Sequence, residues 1–363
     1  MRRAALVVVW LLLALAIPAQ AAAAQPAEPA KPANKCTMKD PAMVELSGIW
    51  ADKDRWYMVN DGGEKATVVV VRKDCTIERQ IVGQVDPFDV EDLGRAPDGT
   101  FLLADGGDND LERDTAALIA LTPAGKSTLY RLTYPDGKHD AEALLVGANG
   151  APYFITKDVG NAGVYSPIRQ LASPGPTPMK KVATIKLAAT DTPGGPVPGP
   201  VGSRTITGGT VSPDGTVVAV RTYTDAYLYA APDKDILKAL NSKPVRVPLP
   251  NEAQGEAIAF EPDGSLVSAS EKTGQPVRLV AKASGLVGDG AATPPAGDSG
   301  AKNPPPESVP PAPAGGLASN ESDKQGIPVV PAFGVAILLI MGVLASLRWR
   351  TARTRRRFYR HGA

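Results

Sequence analysis

The chain has 363 residues and a formal net charge of +1, with 39 basic and 38 acidic residues. The charges are unevenly distributed. Residues 348–363 contain seven arginines and no acidic residue, and Arg2 and Arg3 add two more positive charges. The formal net charge of residues 4–347 is therefore −8. An acidic main part argues against a nucleic-acid partner and is compatible with cations or basic ligands, although acidic surfaces are also common on soluble domains.

The N-terminus has the pattern of a secretory signal peptide over residues 1–24. Met1-Arg-Arg precedes an apolar run from Ala4 to Ile17, and small residues follow from Ala19 to Ala24. The run is shorter than the ~20 residues that a membrane span needs, so we expect an export signal rather than an anchor. Residues 25–35 are rich in alanine and proline, and we predict that they are disordered.

Two cysteines, Cys36 and Cys75, lie in the part of the chain that is predicted to be exported. Because exported proteins meet an oxidising environment, we expect one disulfide that joins the N-terminal segment to the first repeat. A zinc site is disfavoured, since two isolated cysteines and the single exported histidine do not supply the usual ligand set.

Residues 36–283 contain five copies of one sequence repeat. Each unit has a polar residue, a hydrophobic strand and a turn residue that lies seven positions after the polar residue. The turn residues are Asp54, Asp98, Asn149, Asp214 and Asp263, and the residues seven positions earlier are Ser47, Glu91, Glu142, Thr207 and Glu256. A repeat of this length with roughly four strands per unit is typical of a β-propeller.

We therefore predict an all-β fold, a β-propeller with five blades. The fifth unit has about three strands before residue 284, so the N-terminal segment is expected to supply its missing outer strand and to protect the sheet edge. Six blades are the main alternative, if residues 165–205 form a blade of their own instead of loop insertions.

The polar ends of the first strands should meet at one end of the propeller axis. Side chains two apart on a strand share a face, so Asp140 and Glu142 project together, as do the corresponding pairs of the other units. The second strand returns to the same end after the turn, so Glu142 is expected to face Lys157, and Glu256 to face Glu271. The residues that we predict to bind a ligand there are Glu91, Asp105, Lys157, Glu256 and Glu271.

The densest group of acids lies in residues 86–92 and 105–110. Carboxylates and carbonyls on glycine-rich loops suit a hard cation such as Ca²⁺, which takes 6 to 8 oxygen ligands. The candidate ligands are Asp89, Glu91, Asp92, Asp105, Asp108 and Asp140. The alternative is that these Asp and Asn side chains make turn and blade-to-blade hydrogen bonds.

A catalytic set can be drawn from the same end of the axis. His139 is adjacent to Asp140 and could serve as a general base with Glu142, while Arg221 could stabilise developing negative charge. A lone histidine is more often a structural hydrogen-bonding group. The sequence has no Gly-x-Ser-x-Gly elbow, phosphate-binding glycine loop or HExxH pair, so hydrolases defined by those motifs lack support.

The C-terminal part has the pattern of a membrane anchor. Residues 284–327 are rich in Pro, Gly, Ala and Ser and are predicted to form an extended stalk. Residues 328–347 are uncharged and long enough to cross a bilayer, and the arginines of residues 348–363 place the tail in the cytoplasm. We expect a single-pass protein of the cell membrane with an extracytoplasmic N-terminal domain; a nucleic-acid-binding tail is the rival interpretation.

Short motifs connect the chain with a known group of propellers. The segments Leu46-Ser-Gly-Ile-Trp50, Trp56-Tyr-Met-Val-Asn-Asp61, Asp89-Val-Glu-Asp-Leu93 and Asp140-Ala-Glu-Ala-Leu144 resemble units of the bacterial SdiA-regulated-like and esterase-like phytase-domain propellers. The resemblance covers most of residues 36–283. It implies a propeller with polar axial residues, and Ca²⁺ or phosphoester chemistry.

Three hypotheses about function follow from these observations. The first is a membrane-anchored extracytoplasmic propeller that binds an unknown ligand or protein, with Ca²⁺ at its acidic axial end. The second is a cation-assisted hydrolase of phosphoesters, esters or lactones that uses the same carboxylates. The third is a purely structural role for the polar ring.

Overall fold

The computed structural model describes residues 30–197 and 199–287, and these residues are almost entirely β-structure. The strands are β1 (Ala33–Thr37), β2 (Leu46–Ala51), β3 (Arg55–Asn60), β4 (Thr67–Arg72), β5 (Ile77–Val82), β6 (Asp92–Arg95), β7 (Phe101–Asp105), β8 (Ala116–Leu121), β9 (Ser127–Thr133), β10 (Ala141–Val146), β11 (Pro152–Thr156), β12 (Asn161–Pro167), β13 (Thr177–Lys186), β14 (Ile206–Val211), β15 (Val217–Thr222), β16 (Asp225–Ala230), β17 (Val245–Pro248), β18 (Gly255–Phe260), β19 (Leu266–Ser270) and β20 (Pro276–Val280).

The strands form five antiparallel groups of four, which we number as sheets. Sheet 1 is β2–β5, sheet 2 is β6–β9, sheet 3 is β10–β13, sheet 4 is β14–β17, and sheet 5 is β18, β19, β20 and β1. A short parallel pairing of β9 with the start of β13 joins the outer edges of sheets 2 and 3. Sheets 1 to 4 read in chain order from the first strand outward, as expected for hairpin-connected strands; sheet 5 does so for β18 to β20 and has β1 as its outermost strand.

The first strands of the five sheets contact each other in a closed cycle, in the order β2, β6, β10, β14, β18 and again β2. Glycines allow the close approach. A Cβ on Gly48 would lie 2.5 Å from the backbone nitrogen of Leu93, and one on Gly208 would collide with the carbonyl oxygen of Glu256. Five sheets around a ring of inner strands are the arrangement of a β-propeller.

The apolar core is divided among the spaces between neighbouring sheets. One cluster of buried residues lies between sheets 3 and 4, and others lie between sheets 5 and 1, 1 and 2, 4 and 5, and 2 and 3. Trp56 and Phe154 are among the largest side chains that are fully buried there. Because burial of apolar area is the main favourable contribution to folding, each sheet is stabilised by both of its neighbours.

The N-terminal strand closes the ring, as the repeat predicts. β1 pairs antiparallel with β20 and so becomes the outer strand of sheet 5. Cys36 of β1 and Cys75 form the expected disulfide, with 5.8 Å between their Cα atoms. The disulfide therefore ties the closing strand of sheet 5 to the turn between β4 and β5 of sheet 1.

Tight turns join the first two strands of each sheet. In sheets 2 to 5 the predicted turn residue accepts the N–H two positions ahead, whereas in sheet 1 the acceptor is Asp52 instead of the predicted Asp54. The carboxylate of Asp98 accepts the N–H of Thr100 at 2.9 Å, and Gly99 adopts a φ of +85°. An Asp side chain that bonds the backbone two residues ahead, followed by Gly in a left-handed conformation, is a stable way to reverse the chain. These turns lie at the end of the sheets opposite the polar ends of the first strands.

The described residues also correct some boundaries. Residues 165–205 form no sixth sheet in their described part; they contribute the end of β12, all of β13, a 3₁₀ turn at Gly202–Arg204 and connecting segments. The predicted disordered segment 25–35 ends too late, because β1 begins at Ala33 and pairs with β20. At the other end, a 3₁₀ turn at Ala283–Val287 packs Leu286 against the core between sheets 4 and 5.

No helix within the described residues is long and apolar enough to cross a bilayer. The remaining helical segments there are a 3₁₀ turn at Pro41–Met43 and α1 at Ile236–Leu240. The predicted signal peptide, transmembrane segment 328–347 and tail 348–363, and nearly all of the stalk, lie outside the described residues.

Candidate functional site at the axial end

A β-bulge on the first strand turns the polar side chain of each repeat toward the axis. The pairing of the first and second strands shifts by one residue at Ser47, Glu142, Thr207 and Glu256. In sheet 2 the N–H of Glu91 donates to the carbonyl of Ala104, the residue that also pairs with Asp92. All five of these polar residues are buried. Bulges redirect side chains and are frequent beside functional sites. The bulge at this position of each repeat therefore brings the polar side chains together at the site.

Three carboxylates converge beside sheets 2 and 3. Glu91, Asp140 and Glu142 each offer an oxygen, and these oxygens lie within 4.8 Å of one another. Asp89 adjoins them, because a Cβ on Gly107 would collide with the carboxylates of both Asp89 and Glu91. The absence of a side chain at residue 107 thus leaves the space that the acids occupy. This triad could hold a metal ion.

Lys157 lies beside the triad. Its Nζ bonds Oε1 of Glu142 and is 3.9 Å from Oδ2 of Asp140, and its side chain is 22% exposed. Burial opposes the charge of Lys157, but the carboxylates of Glu142 and Asp140 outweigh burial and raise the pKa of the ammonium well above its usual range. Lys157 is therefore a permanent positive charge at the edge of the acidic cluster, and the predicted pairing of Glu142 with Lys157 is present.

The crowded acids resist ionisation. Burial, and then the negative charge of neighbouring carboxylates, raises the pKa of Asp89 and of Glu91 well above the usual range. Burial also raises the pKa of Glu142 to about 7, and Lys157 limits this increase. Buried like charges of this kind need protons or a cation, so the cluster has a built-in affinity for positive charge.

Further acids complete the ring on the side of sheets 5 and 1. Burial, together with Glu271 and Glu142, raises the pKa of Glu256 well above its usual range. Burial and the charges of Asp89, Glu45 and Glu271 raise the pKa of Asp61 to about 9. The predicted approach of Glu256 and Glu271 is therefore observed, and the acidic network extends around the axis from sheet 3 to sheet 1.

Asp92, a predicted metal ligand, has a structural role instead. Its Oδ1 accepts the N–H of Leu93 at 2.8 Å, and its Oδ2 accepts those of Leu144 at 2.8 Å and Gly209 at 3.0 Å. Burial raises the pKa of this carboxyl, although the three N–H donors favour its charged form. Asp92 therefore links the inner strands of sheets 2, 3 and 4.

Asp105 and Asp108 were predicted as ligands and are loop anchors. Asp105 accepts the N–H groups of Phe88 and Asp89 and forms an ion pair with Arg113 at 3.0 Å. Asp108 accepts the N–H of Glu112 at 2.8 Å and that of Arg113 at 2.9 Å. Their oxygens already have strong donors, so these two acids shape the loops that carry the triad.

Arg221 is enclosed in the core and cannot serve as the predicted catalytic group. It is fully buried, and its Nη2 pairs with Glu252 at 2.6 Å while its Nη1 donates to Ser268 at 2.8 Å. The sequence indicates this structural role, because an arginine inside the apolar strand Val217–Thr222 is expected to be buried and then needs an acidic partner.

His139 lies in an aromatic cluster rather than on the triad. Its Nε2 is 3.0 Å from Asp136 and 3.1 Å from the hydroxyl of Tyr165, and its ring packs edge-on against Tyr134. These contacts correspond to the structural role that a lone histidine more often has. The predicted role of His139 as general base would require it to leave these partners.

The repeat register places Glu45 and Asp61 at the same axial end, although they were not named among the candidate site residues. Asp61 and Glu45 occupy the positions in sheet 1 that correspond to Lys157 and Asp140 in sheet 3, since the N–H of Asp61 donates to the carbonyl of Glu45 as that of Lys157 does to Asp140. The fivefold repeat predicts this equivalence of positions. Tyr223 lies near Lys157, and burial raises the pKa of its hydroxyl above the usual range.

Comparisons with known proteins add little to this description. No protein-family model and no curated protein matches the sequence. Solved structures that align with it include a streptogramin B lyase (16% identity, 65% of this chain and 65% of that chain, TM-score 0.35), a gluconolactonase from Xanthomonas campestris (14%, 70% and 97%, 0.40) and a luciferin-regenerating enzyme (13%, 65% and 77%, 0.37). The chain thus spans less than two thirds of the lyase. Similarities this low carry no information about its activity.

Proposed function

We propose that Glu91, Asp140 and Glu142 bind a divalent cation, with Ca²⁺ as the first candidate, and that the domain is a cation-assisted hydrolase of phosphoesters, esters or lactones. The observation that carries the proposal is the convergence of three carboxylate oxygens within 4.8 Å. An all-oxygen donor set with Asp89 alongside suits a hard cation. The family suggested by the sequence motifs, the SdiA-regulated-like and phytase-domain propellers, stays a prediction.

The chain's own residues have distinct tasks in this proposal. A bound cation would act as a Lewis acid on a carbonyl or phosphoryl oxygen. Lys157, charged and 22% exposed, would stabilise negative charge that develops on the substrate. Asp89, whose raised pKa results first from burial, would exchange a proton with the attacking water and the leaving group.

The test is a screen of the full-length protein, freed of metal with EDTA, against p-nitrophenyl acetate, p-nitrophenyl phosphate and an aliphatic δ-lactone. We expect turnover of at least one substrate class that requires added Ca²⁺ or another divalent ion, and its loss in Glu142→Gln. Asp98→Asn, at the opposite end of the sheets, is the matched control. Metal-independent turnover, or full activity in Glu142→Gln, would refute the assignment.

A second candidate function is ligand or protein binding without catalysis. It is favoured by the burial of Arg221 and by the engagement of His139 with Asp136 and Tyr165, which leave the site with few catalytic groups. Absence of turnover together with retained divalent-cation binding would favour this alternative.

We also propose that the domain is extracytoplasmic and is held at the cell membrane by residues 328–347. The support is the apolar stretch, the arginine-rich flank and the disulfide Cys36–Cys75, which suits an oxidising compartment. Fractionation of cells that produce the full chain or a chain ending at residue 327 tests this. The full chain should sediment with membranes and the shortened chain should not; the same distribution for both would contradict the proposal.

A further inference from the structure

Residues 157 and 271 occupy equivalent places in sheets 3 and 5. The N–H of Lys157 donates to the carbonyl of Asp140 at 2.8 Å, and the N–H of Glu271 donates to the carbonyl of Gln254 at 2.9 Å. In both sheets the bulged glutamate lies two positions after that carbonyl. The two sheets thus present the same pair of side-chain positions to the axis. Sheet 3 fills them with an acid and an ammonium, and sheet 5 fills them with two acids.

The bulged glutamate of sheet 5, Glu256, has a buried oxygen that no N–H or ammonium group reaches. The residue is 3% exposed, and its Oε1 accepts the side-chain amide of Gln254 at 3.0 Å. Its Oε2 has no N–H or ammonium donor among the described residues; its neighbour is the carboxyl of Glu271, with which it can bond only when one of the two carboxyls holds a proton. In sheet 3, the ammonium of Lys157 bonds the corresponding Glu142. A buried carboxylate oxygen without a donor is unfavourable unless a proton or cation reaches it.

We propose that Glu256 and Glu271 form a binding site for a primary ammonium group of a ligand, in the place that corresponds to the ammonium of Lys157 in sheet 3. One ammonium offers three donors and a positive charge, so it can serve both carboxyls at once. Asp61 and Glu45 lie on the same side of the axis, close enough to Glu271 for these carboxyl groups to influence one another.

An ammonium fits this place better than a second divalent ion does. Oε1 of Glu256 is already engaged with Gln254, whereas Ca²⁺ requires at least six oxygen ligands. The inference shares the axial end with the proposed hydrolase and would give its substrate a cationic group. It does not require the reaction, so the two proposals can fail separately.

The experiment measures binding of n-pentylamine to the full-length protein in EDTA-containing buffer at constant ionic strength, with n-pentanol as the neutral isostere. At pH 8 the amine is cationic, because alkylammonium groups titrate near 10. We expect a saturable increase in melting temperature and a calorimetric isotherm with the amine, and neither with the alcohol. Because no divalent ion is present, failure of the hydrolase proposal leaves this result unchanged.

Two substitutions at one residue identify the site. Glu271→Lys supplies the ammonium that sheet 3 has, so we expect a higher melting temperature without ligand and no response to the amine. Glu271→Gln should fold and bind the amine about tenfold more weakly, since one charged partner is lost. Asp98→Asn, an equal charge change at the opposite end, should bind like the wild type.

The proposal is overturned if the wild type responds equally to amine and alcohol, because a proton shared by the two carboxyls then suffices. It is also overturned if Glu271→Gln retains wild-type affinity. If Glu271→Lys does not fold, the Glu271→Gln titration decides alone. The absence of any response to the amine in EDTA-containing buffer would equally contradict the inference.

Discussion

The carboxylate of Asp92 accepts the N–H of Gly209 at 3.0 Å and so connects inner strands of two sheets that are not neighbours, sheets 2 and 4. The same oxygen accepts the N–H of Leu144 in sheet 3, which lies between them. The axis below the acidic cluster is therefore closed by a buried side chain. Ligands must approach the cluster from the end of the axis where Asp140 and Lys157 are partly exposed.

Removal of the Asp92 carboxylate should destabilise the fold strongly. Asp92→Ala leaves three buried N–H donors without an acceptor, and each such loss costs about 1–3 kcal/mol. We expect the free energy of unfolding, measured by urea denaturation, to fall by ~4 kcal/mol. Asp92→Asn, which keeps one acceptor oxygen, should lose less. Equal stability of Asp92→Ala and wild type would show that the residue does not link the sheets.

The metal-free protein should lose stability as pH rises. The pKa of Glu142 is about 7 and that of Asp61 about 9 in the folded chain, both raised chiefly by burial. A raised folded pKa means that the folded state binds more protons than the unfolded state, so the stabilisation is complete below the usual carboxyl pKa near 4. It is lost as pH rises through 7 and then 9.

Urea midpoints at pH 5, 7 and 9 in EDTA check this dependence. Glu142→Gln should show a shallower decline between pH 5 and 7, because the variant lacks one of the titrating groups. Added Ca²⁺ should restore stability most at pH 9, where it replaces the lost protons. A midpoint that increases with pH in EDTA would contradict the proposed electrostatics of the axial end.

Reduction of the disulfide should weaken the closure of the ring. The bond between Cys36 and Cys75 joins residues 39 apart in sequence, and a loop of this size corresponds to about 4 kcal/mol of stabilisation. We expect dithiothreitol to lower the unfolding free energy of the wild type by that order. The double variant Cys36→Ser/Cys75→Ser should have the reduced stability already and should not respond to dithiothreitol; a response there would indicate another cause.

Arg221 should prove structural. Arg221→Met leaves Glu252 buried without its partner and should cost about 3–5 kcal/mol in urea denaturation. The double variant Arg221→Met/Glu252→Leu removes both charges and should recover most of the loss. If Arg221→Met keeps its stability but abolishes turnover, the catalytic role first suggested for this residue would be right after all.

Much of the fold could be predicted because the repeat has a fixed register. The polar positions of the first strands, the two facing pairs Glu142–Lys157 and Glu256–Glu271, and the closing strand at Cys36 all follow from it, whereas the bulges at those polar positions do not. These features depend on the spacing of residues along the backbone, and the period of the repeat gives that spacing directly.

The roles of individual acids were harder to predict. Asp92 and Glu91 are adjacent and chemically similar, and nothing in the sequence shows that Asp92 bonds backbone N–H groups of other inner strands whereas Glu91 joins the triad. Asp108 accepts the backbone N–H groups of the residues four and five positions ahead. An acidic loop that makes such hydrogen bonds has the same amino-acid composition as a metal-binding loop, so the sequence does not distinguish the two. Arg221 and Glu252 meet only through tertiary packing.

The central claim, that Glu91, Asp140 and Glu142 bind a divalent cation, is tested most directly by calorimetric titration of Ca²⁺ into the EDTA-treated, dialysed full-length protein at pH 8. We predict saturable binding of one ion per chain, weakened at least about tenfold in Asp140→Asn and Glu142→Gln and unchanged in Asp98→Asn. No saturable binding of Ca²⁺, Mg²⁺ or Mn²⁺ by the wild type, or equal affinity in all three variants, would contradict it.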